Sequence, residues 1–204
     1  VKQGRNHIFS ILDLRQAFHQ QPLHPDSRPL TACHTPLGIY QWRVNVMGLT
    51  NAGQQFQAMM EDVLEEVRDC ADPFIDDIII GTSAEEGEDG EGDLHPDQRE
   101  DDIIIGTSAA EGEDLIAKHM YDICRVLLVL QTQKLICDVR KCQFFVNEVE
   151  FCGNVLGNGT RRPAPGKLTA IQKWPLPQTI TEMRAFLGFT NYYAHFVPNY
   201  ASLV

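Results

Sequence analysis

Three aspartates stand where apolar segments end, and together they could bind metal ions. Asp13 follows the apolar run at residues 8–12, and the adjacent Asp76 and Asp77 separate two further apolar runs. Carboxylate oxygens are the ligands that Mg²⁺ prefers, and a pair of such ions can activate an attacking oxygen and stabilise a leaving one in phosphoryl transfer. The alternative is a plain turn, because aspartate also favours turns. Spacing in the sequence leaves both interpretations open.

The segments around the aspartates predict strands. Residues 8–12 are rich in strand formers, and residues 74–80 have the pattern strand, acidic pair, strand, which is typical of a β-hairpin with two carboxylates at its tip. If the hairpin lies beside the first strand, the three carboxylates converge at one end of a sheet.

Three amphipathic helices are predicted. Apolar residues recur at helical spacing from Ala52 to Val67, and a terminal stripe follows the capping-box sequence at residues 179–182. The helix between them is indicated by an apolar stripe of Ile116, Met120, Ile123, Leu127 and Leu130.

Alternation and proline content predict the other elements. Residues 39–46 alternate as a strand with one wet face, whereas residues 21–36 contain four prolines and are predicted to be a loop. Further strands are expected at 135–137, 144–146 and 149–155, and a short helix at 168–174.

Composition indicates a globular chain. Its 204 residues are 43% hydrophobic and 22% charged, which excludes a disordered tail or a mini-protein. The net charge of −11 at first argues against a nucleic-acid partner. However, residues 76–102 hold 12 acids and one base, whereas the rest of the chain balances at 16 against 16. Residues 134–184 are mildly basic, so a nucleic-acid partner is not excluded.

The acidic region contains a repeat. Residues 76–89 recur at 101–114 with 13 of 14 positions identical, which indicates a recent tandem duplication. The segment between the copies is charged and rich in glycine, so we expect a solvated loop. An acidic interaction module around residues 81–102 is a further interpretation, and it rests on charge alone.

Six cysteines lie without any C-x-x-C pair, so we expect reduced, structural thiols. Cys33 and His34 are adjacent but lack a second ligand pair at zinc spacing. No apolar stretch approaches the ~18 residues of a membrane span, and the N-terminus lacks the apolar region of a signal peptide. We therefore expect an intracellular protein with no membrane partner, cut from a longer chain.

Six blocks follow one another along the chain: FSILDLRQAFHQ at 9–20, GLTNA at 48–52, FIDDIII at 74–80, VEFCG at 149–153, AIQKWP at 170–175 and FLGFTNYY at 186–193. Together they resemble the successive motifs of a reverse transcriptase from a gypsy-type LTR retrotransposon. Their order along nearly the whole chain is far more specific than any single block.

The resemblance implies an α+β fold, the palm of a polymerase right hand with partial fingers and the start of a thumb. The palm would comprise residues 1–20 and 52–158, with the duplicated acidic insertion near 76–102. Residues 21–51 would be the partial fingers, and residues 159–204 would begin the thumb.

The resemblance also implies an RNA-directed DNA polymerase, a nucleotidyltransferase that joins deoxynucleoside triphosphates to a primer 3′-hydroxyl on an RNA or DNA template. Asp13, Asp76 and Asp77 would be its catalytic, metal-binding carboxylates for two Mg²⁺ ions, with Mn²⁺ as a substitute. The parent Pol polyprotein would carry RNase H and integrase regions, and would reside in the cytoplasm, a virus-like particle or the nucleus.

Three residues are implied at the nucleotide. The Leu14 carbonyl would lie near the second metal, Phe18 would lie under the sugar and exclude a 2′-hydroxyl, and Met47 would touch the pocket. Phe18 could instead be a core residue. The sequence departs from the family pattern near this pocket at Leu30, Gly53 and Met47.

The primer end would be held by a turn comprising Phe151, Cys152 and Gly153, and the helix from about Thr181 would lie in the duplex minor groove. We expect the nearby aromatic residues to serve packing rather than base stacking. These are Trp174, Phe186, Tyr192 and Tyr193.

The duplication leaves open which copy supplies the acidic pair. Phe74 and Ile75 precede the first pair, whereas charged residues precede Asp101 and Asp102, so we expect the first copy to be catalytic. A hybrid hairpin that uses the downstream strand of the second copy is an alternative. A catalytically decayed or domesticated module that binds nucleic acid or acts as a scaffold is the alternative function.

Overall fold

The computed structural model describes residues 7–84, 107–109, 114–157, 160–197 and 199–202. The chain divides into two compact units, Val1–Asn147 and Glu148–Val204. This boundary precedes residue 159, the expected start of the thumb, because the sheet that follows residue 148 groups with the C-terminal helices. The functional division into palm, fingers and thumb stays a prediction.

The first unit is built on a mostly antiparallel sheet with the order β4-β5-β1-β7. Its strands are β1 (His7–Asp13), β4 (Ala71–Phe74), β5 (Asp77–Ala84) and β7 (Gln143–Val146). The predicted first strand and the contiguous hairpin are therefore confirmed as structural elements. The short strand β6 (Thr107–Ala109), which belongs to the second copy of the repeat, pairs in parallel with the end of β5.

The hairpin of β4 and β5 closes through a two-residue turn. Phe74 pairs with Asp77, and Ile75 between them has a positive φ of 55°. β4 is the outer strand and contains Pro73, which an edge strand tolerates. The Gln57 side chain secures this edge, because its amide donates to the Pro73 carbonyl at 2.9 Å and accepts from the Ile75 N–H at 2.7 Å.

Two helices, α2 (Ala52–Val63) and α3 (Leu115–Thr132), pack against the sheet. Because side chains alternate along a strand, even-numbered residues of β1 and β5 share one face, and this face joins the helices in the core. The core includes Leu12, Ile78, Ile80, Phe56, Met60, Ile123, Val126 and Leu130. The odd-numbered positions, which include Asp13 and Asp77, point to the other face.

Helix α3 corrects the predicted stripe. Ile116, Met120 and Leu127 are exposed, whereas His119 and Asp122 are buried. The helix turns these two polar side chains inward because hydroxyl groups of the sheet satisfy them there.

The segment between β1 and α2 also differs from expectation. The predicted loop at 21–36 contains a 3₁₀ helix, Pro25–Thr31, and a strand, β2 (Cys33–Thr35). The strand expected at 39–46 is limited to β3 (Gly38–Tyr40), which pairs with β2 as an exposed two-stranded ribbon. A ribbon with no buried face gains little from extension. The short helix α1, Ala17–Gln20, follows β1.

The second unit contains a three-stranded antiparallel sheet of β8 (Glu148–Phe151), β9 (Asn154–Gly157) and β10 (Thr160–Pro163). The strand expected at 149–155 is therefore wrong. Cys152 and Gly153 have φ values of 49° and 75°, and these left-handed residues fold the segment into a hairpin. The segment expected as a strand at 135–137 forms only an isolated bridge between Leu14 and Cys137.

Two helices follow, α4 (Pro165–Gln172) and α5 (Ile180–Asn191). The predicted cap of α5 is confirmed, because the Thr179 hydroxyl accepts from the Glu182 N–H at 3.2 Å. Trp174 packs against Phe186 and Phe189, with ring centroids 5.8 and 5.3 Å apart, as expected for packing. Short 3₁₀ turns occupy Ala194–Phe196 and Tyr200–Ser202.

All six cysteines carry free thiols. In the part of the chain that the structure describes, the helices are too short or too polar to cross a membrane.

Candidate active site

Asp13, Asp76 and Asp77 lie at one end of the first sheet. Asp13 is directly opposite Asp77 in the register of β1 and β5. The Leu14 N–H donates to the Asp76 carbonyl at 2.8 Å, so the chain after β1 is fixed to the hairpin turn. The sheet register thus brings together the three aspartates that the sequence singled out. Asp101 and Asp102 lie outside the described residues.

The three carboxylates repel one another. Burial raises the pKa of Asp77, and the negative charges of Asp76 and Asp13 raise it further. Lys141 acts in the opposite direction. Asp77 and Asp13 are half-buried, whereas Asp76 is exposed. A site of this kind favours a bound cation, because positive charge relieves the repulsion.

Lys141 is the residue that the sequence analysis missed. Its ammonium lies 3.2 Å from both carboxylate oxygens of Asp13, and hydrogen bonding to that carboxylate raises the pKa of Lys141. Lys141 precedes β7, and the pairing of β7 with β1 brings it to Asp13. Because this pairing joins residues distant in sequence, no local sequence signal indicated the contact.

Backbone contacts hold the segment before β7 against the end of β1. The Asp138 N–H donates to the Asp13 carbonyl at 2.8 Å, and the Asp13 N–H donates to the Cys142 sulfur at 3.4 Å. Within the described ranges, no group of three or more His, Cys, Asp or Glu side chains is arranged to hold a metal ion. The Asp13 oxygens are engaged by an ammonium instead.

The residues expected at the nucleotide differ in their surroundings. Leu14 is buried and tied to the aspartate turn, as described above. Phe18 is half-buried at the margin of the core, with its ring 5.4 Å from that of Phe56. Met47 is 78% exposed. The packing of Phe18 gives weight to the core interpretation, and the nucleotide roles of all three stay predictions.

The turn expected at the primer is held by tyrosines within the second unit. The Tyr192 hydroxyl donates to the Cys152 carbonyl at 2.5 Å, and the Asn154 amide donates to the same oxygen at 3.3 Å. A Cβ atom at Gly153 would meet the Tyr193 hydroxyl at 3.3 Å, so the positive φ and the close approach both favour glycine there.

A second polar cluster lies near the other end of β5. We call it the buried polar cluster, and it comprises Ser10, Thr82, Thr107, Lys118, His119 and Asp122. Thr82 and Thr107 are equivalent positions in the two copies of the repeat, and both hydroxyls donate to the Asp122 carboxylate. Lys118 completes the set, with its ammonium 2.7 and 2.9 Å from the two Asp122 oxygens.

The hydrogen bonds of this cluster define the state of His119. The Thr82 hydroxyl has one hydrogen, which goes to Asp122, so it must accept from Nδ1–H of His119 at 2.8 Å. Nε2 then accepts from the Ser10 hydroxyl at 2.8 Å. Burial lowers the pKa of His119 to about 4, so the ring is neutral at neutral pH.

Comparison with families and curated proteins gives one consistent result. A family model described as reverse transcriptase (RNA-dependent DNA polymerase) matches residues 1–95. The chain is 29% identical over 204 residues to the retrovirus-related Pol polyprotein from transposon 297 of Drosophila melanogaster. It is 26% identical over 201 residues to that from transposon gypsy of the same organism. Each alignment covers nearly the whole chain, 99% and 98%, but only 16% of the polyprotein.

Solved structures share the fold. A foamy viral protease-reverse transcriptase in complex with double-stranded DNA aligns with a TM-score of 0.72 and 22% identity, over 97% of this chain and 29% of the other. The complex of foamy viral protease-reverse transcriptase with an RNA/DNA hybrid aligns with a TM-score of 0.67 and 22% identity, over 96% and 22% of the two chains. At this identity the likeness concerns the fold, an α+β polymerase palm.

Proposed function

We propose that the chain is a reverse transcriptase and that it carries the catalytic carboxylates of an RNA-directed DNA polymerase, a proposal supported by its match to the reverse transcriptase family model and its similarity to Pol polyproteins. The reaction is the addition of a deoxynucleotide to a primer 3′-hydroxyl. The observation that supports this most strongly is the register of the central strands, which sets Asp13 opposite Asp77 with Asp76 in the adjoining turn.

The chemistry of the donor set suits divalent metal ions, although among the described residues these side chains are not arranged as a formed metal site. Three carboxylates at one sheet end are hard oxygen ligands. Burial, and then repulsion from Asp76 and Asp13, raise the pKa of Asp77. Asp13, Asp76 and Asp77 would hold two Mg²⁺ ions, or Mn²⁺ in their place. Such ions activate the attacking hydroxyl and stabilise the leaving oxygen when they are bound. The protein's own part is to fix the carboxylates through the β1–β5 ladder and the Leu14–Asp76 hydrogen bond.

We assign the nucleotide to the region around Leu14, Phe18 and Met47, and the primer end to the turn at Phe151, Cys152 and Gly153. The tyrosine contacts that fix this turn support a binding role, because a rigid backbone presents its groups in one geometry. The partners would be a primer on an RNA or DNA template, together with deoxynucleoside triphosphates. The parent would be a Pol polyprotein in the cytoplasm, in a virus-like particle or in the nucleus.

The test is primer extension with Mg²⁺ or Mn²⁺. Asp77→Asn should lower the extension rate by at least about 100-fold, because it removes a charged ligand. Asp72→Asn is the matched control, since Asp72 is a partly buried aspartate of the same hairpin on β4. Asp101→Asn/Asp102→Asn should retain activity. Equal losses in the Asp72 and Asp77 variants, or loss confined to the Asp101/Asp102 variant, would contradict the assignment.

Phe18→Ala tests the nucleotide assignment separately. If Phe18 excludes the 2′-hydroxyl, the variant should incorporate ribonucleotides that the wild type rejects, because the steric clash is removed. If Phe18 serves only the contact with Phe56, the variant should lose about 3–5 kcal/mol of stability with unchanged selectivity.

A decayed or domesticated module that binds nucleic acid is the second candidate. The observation that favours it is the duplication, which begins at Asp76 within the proposed site. The test uses the wild type and a variant that lacks residues 76–100. This alternative is established if both proteins bind duplex but extend no primer with Mg²⁺ or with Mn²⁺.

A further inference from the structure

Lys141 places a positive charge on the proposed metal ligand Asp13. Its ammonium is equidistant from the two Asp13 carboxylate oxygens, at 3.2 Å from each. The Lys141 side chain is 62% exposed, whereas that of Asp13 is 14% exposed. The carboxylate is therefore held in place by the sheet, and the ammonium approaches it from the solvent side.

The backbone determines that Lys141, and not its neighbour, makes this contact. The Lys141 N–H donates to the Asp138 carbonyl at 2.9 Å, in the segment that is bonded to Asp13. The adjacent base, Arg140, turns back to the Asp138 carboxylate, with nitrogen–oxygen distances of 3.0 and 2.9 Å. Arg140 and Lys141, which carry the same charge, thus have different partners, and only Lys141 contacts Asp13.

We propose that Lys141 is the resident counter-ion of Asp13 and that it must withdraw before a divalent cation can bind this carboxylate. This inference rests on the proposed function, because it takes Asp13 to be a metal ligand. The ammonium bridges both Asp13 oxygens, so a metal ion that binds at this edge of the carboxylate takes the position of Lys141 and is repelled by its charge. An exposed ion pair is weak, so the lysine moderates metal affinity without preventing binding.

The test is Mn²⁺ binding to the full chain, followed by the electron paramagnetic resonance signal of free Mn²⁺. Lys141→Met should bind Mn²⁺ about two- to five-fold more tightly than the wild type, which corresponds to the loss of one exposed ion pair. Arg140→Met is the matched control, because it removes one positive charge from the adjacent residue without altering the Asp13 contact. Lys141→Arg should bind like the wild type.

A second measurement follows the lysine directly. Added Mg²⁺ should raise the rate at which Lys141 is modified by an amine-reactive reagent, located by mass spectrometry. In Asp13→Asn this rate should already be high and should not respond to Mg²⁺. A wild-type rate that is independent of Mg²⁺ would overturn the inference.

The outcomes separate the two proposals. If Asp77→Asn weakens Mn²⁺ binding but Lys141→Met and Arg140→Met change it equally, the counter-ion role is wrong and the proposed site stands. If Mn²⁺ binding is the same in wild type, Asp13→Asn and Asp77→Asn, the metal site of the proposed function is wrong, and the counter-ion role falls with it. Circular dichroism of each variant checks that it is folded.

Discussion

Lysine–aspartate pairs lie near both ends of β5, in contrasting surroundings. Near the end of β5, Asp122 is fully buried and Lys118 is 17% exposed. Two threonine hydroxyls and the Arg125 guanidinium, 3.6 Å away, are further partners of this carboxylate. Near its start, Asp13 has Lys141 as its ion-pair partner, and the adjoining Asp77 carries a raised pKa. One strand therefore runs from a cluster whose polar groups are hydrogen-bonded to a cluster whose carboxylates repel one another.

The difference separates structural from functional polar groups. A buried carboxylate without partners costs several kcal/mol, so the buried polar cluster must be complete for the sheet and α3 to pack. The carboxylates at the other end of β5 have oxygen lone pairs that can still accept a ligand, and their negative charges repel each other. This repulsion lowers the stability of the folded protein and favours the binding of a cation. Removal of a carboxylate charge should consequently lower stability at the buried polar cluster and leave it unchanged or raise it at the aspartates of the candidate site.

The largest effect is expected for Asp122→Ala. Removal of this carboxylate takes an acceptor from the Lys118 ammonium and from two threonine hydroxyls, and an ion-pair partner from Arg125, so the free energy of unfolding should fall by about 3–5 kcal/mol. Urea unfolding monitored by circular dichroism measures it. Asp69→Ala, which breaks the more exposed pair with Arg125, should cost much less. A similar loss in both variants would remove the distinction between the clusters.

The next effect is a pH dependence carried by His119. Its pKa falls from 6.5 to about 4 on folding, so the unfolded chain binds a proton that the folded chain does not bind between these values. Stability should therefore decrease as the pH falls through this window, by up to about 3 kcal/mol. The comparison is urea unfolding at pH 7 and pH 4.5 in wild type and His119→Gln. Equal pH slopes in the two proteins would show that His119 is not responsible.

The two copies of the repeat should contribute unequally to the buried polar cluster. Thr82→Val should cost about 1–3 kcal/mol, because the buried hydroxyl serves both His119 and Asp122. Thr107→Val should cost less, since Thr107 is only partly buried and Asp122 keeps its other partners. Urea midpoints of the matched pair measure the difference. Equal costs would mean that β6 is as integral to the sheet as β5.

The smallest expected effect has the opposite sign. Folding raises the pKa of Asp77, so ionisation of this group above that pKa disfavours the folded state. Asp77→Asn should therefore leave stability at pH 7 unchanged or raise it by less than about 1 kcal/mol. Thermal unfolding at pH 7 and pH 4 tests this, since the gain should disappear at the lower pH. A loss of stability would show that the Asp77 carboxylate stabilises the fold, as that of Asp122 is expected to do.

Local signals predicted the elements that hold the aspartates. The strand before Asp13 and the hairpin around Asp76 and Asp77 follow from short apolar runs and from a turn between them. The convergence itself was a hypothesis, because the pairing of β1 with β5 joins residues distant in sequence. The contact of Lys141 with Asp13 is equally distant, and no local pattern in the sequence encodes it.

The errors have physical causes that apolar content and spacing do not capture. The stripe of α3 was wrong because His119 and Asp122 find partners on β1, β5 and β6, and an apolar-only criterion assigns such residues to the surface. The strand expected at 149–155 was wrong because apolar content outweighed Gly153, the residue that permits the turn. In both places tertiary contacts or one backbone angle override the local pattern.

The outer strand β4 has a consequence for self-association. The Pro73 carbonyl accepts from the Gln57 amide of α2, so it points away from β5. In an antiparallel strand the nitrogen of the same residue points to that same side, and a proline nitrogen carries no hydrogen. Another molecule approaching this edge would thus find one donor missing and one acceptor already occupied. At this edge, aggregation by strand addition is opposed by a single proline and one glutamine side chain.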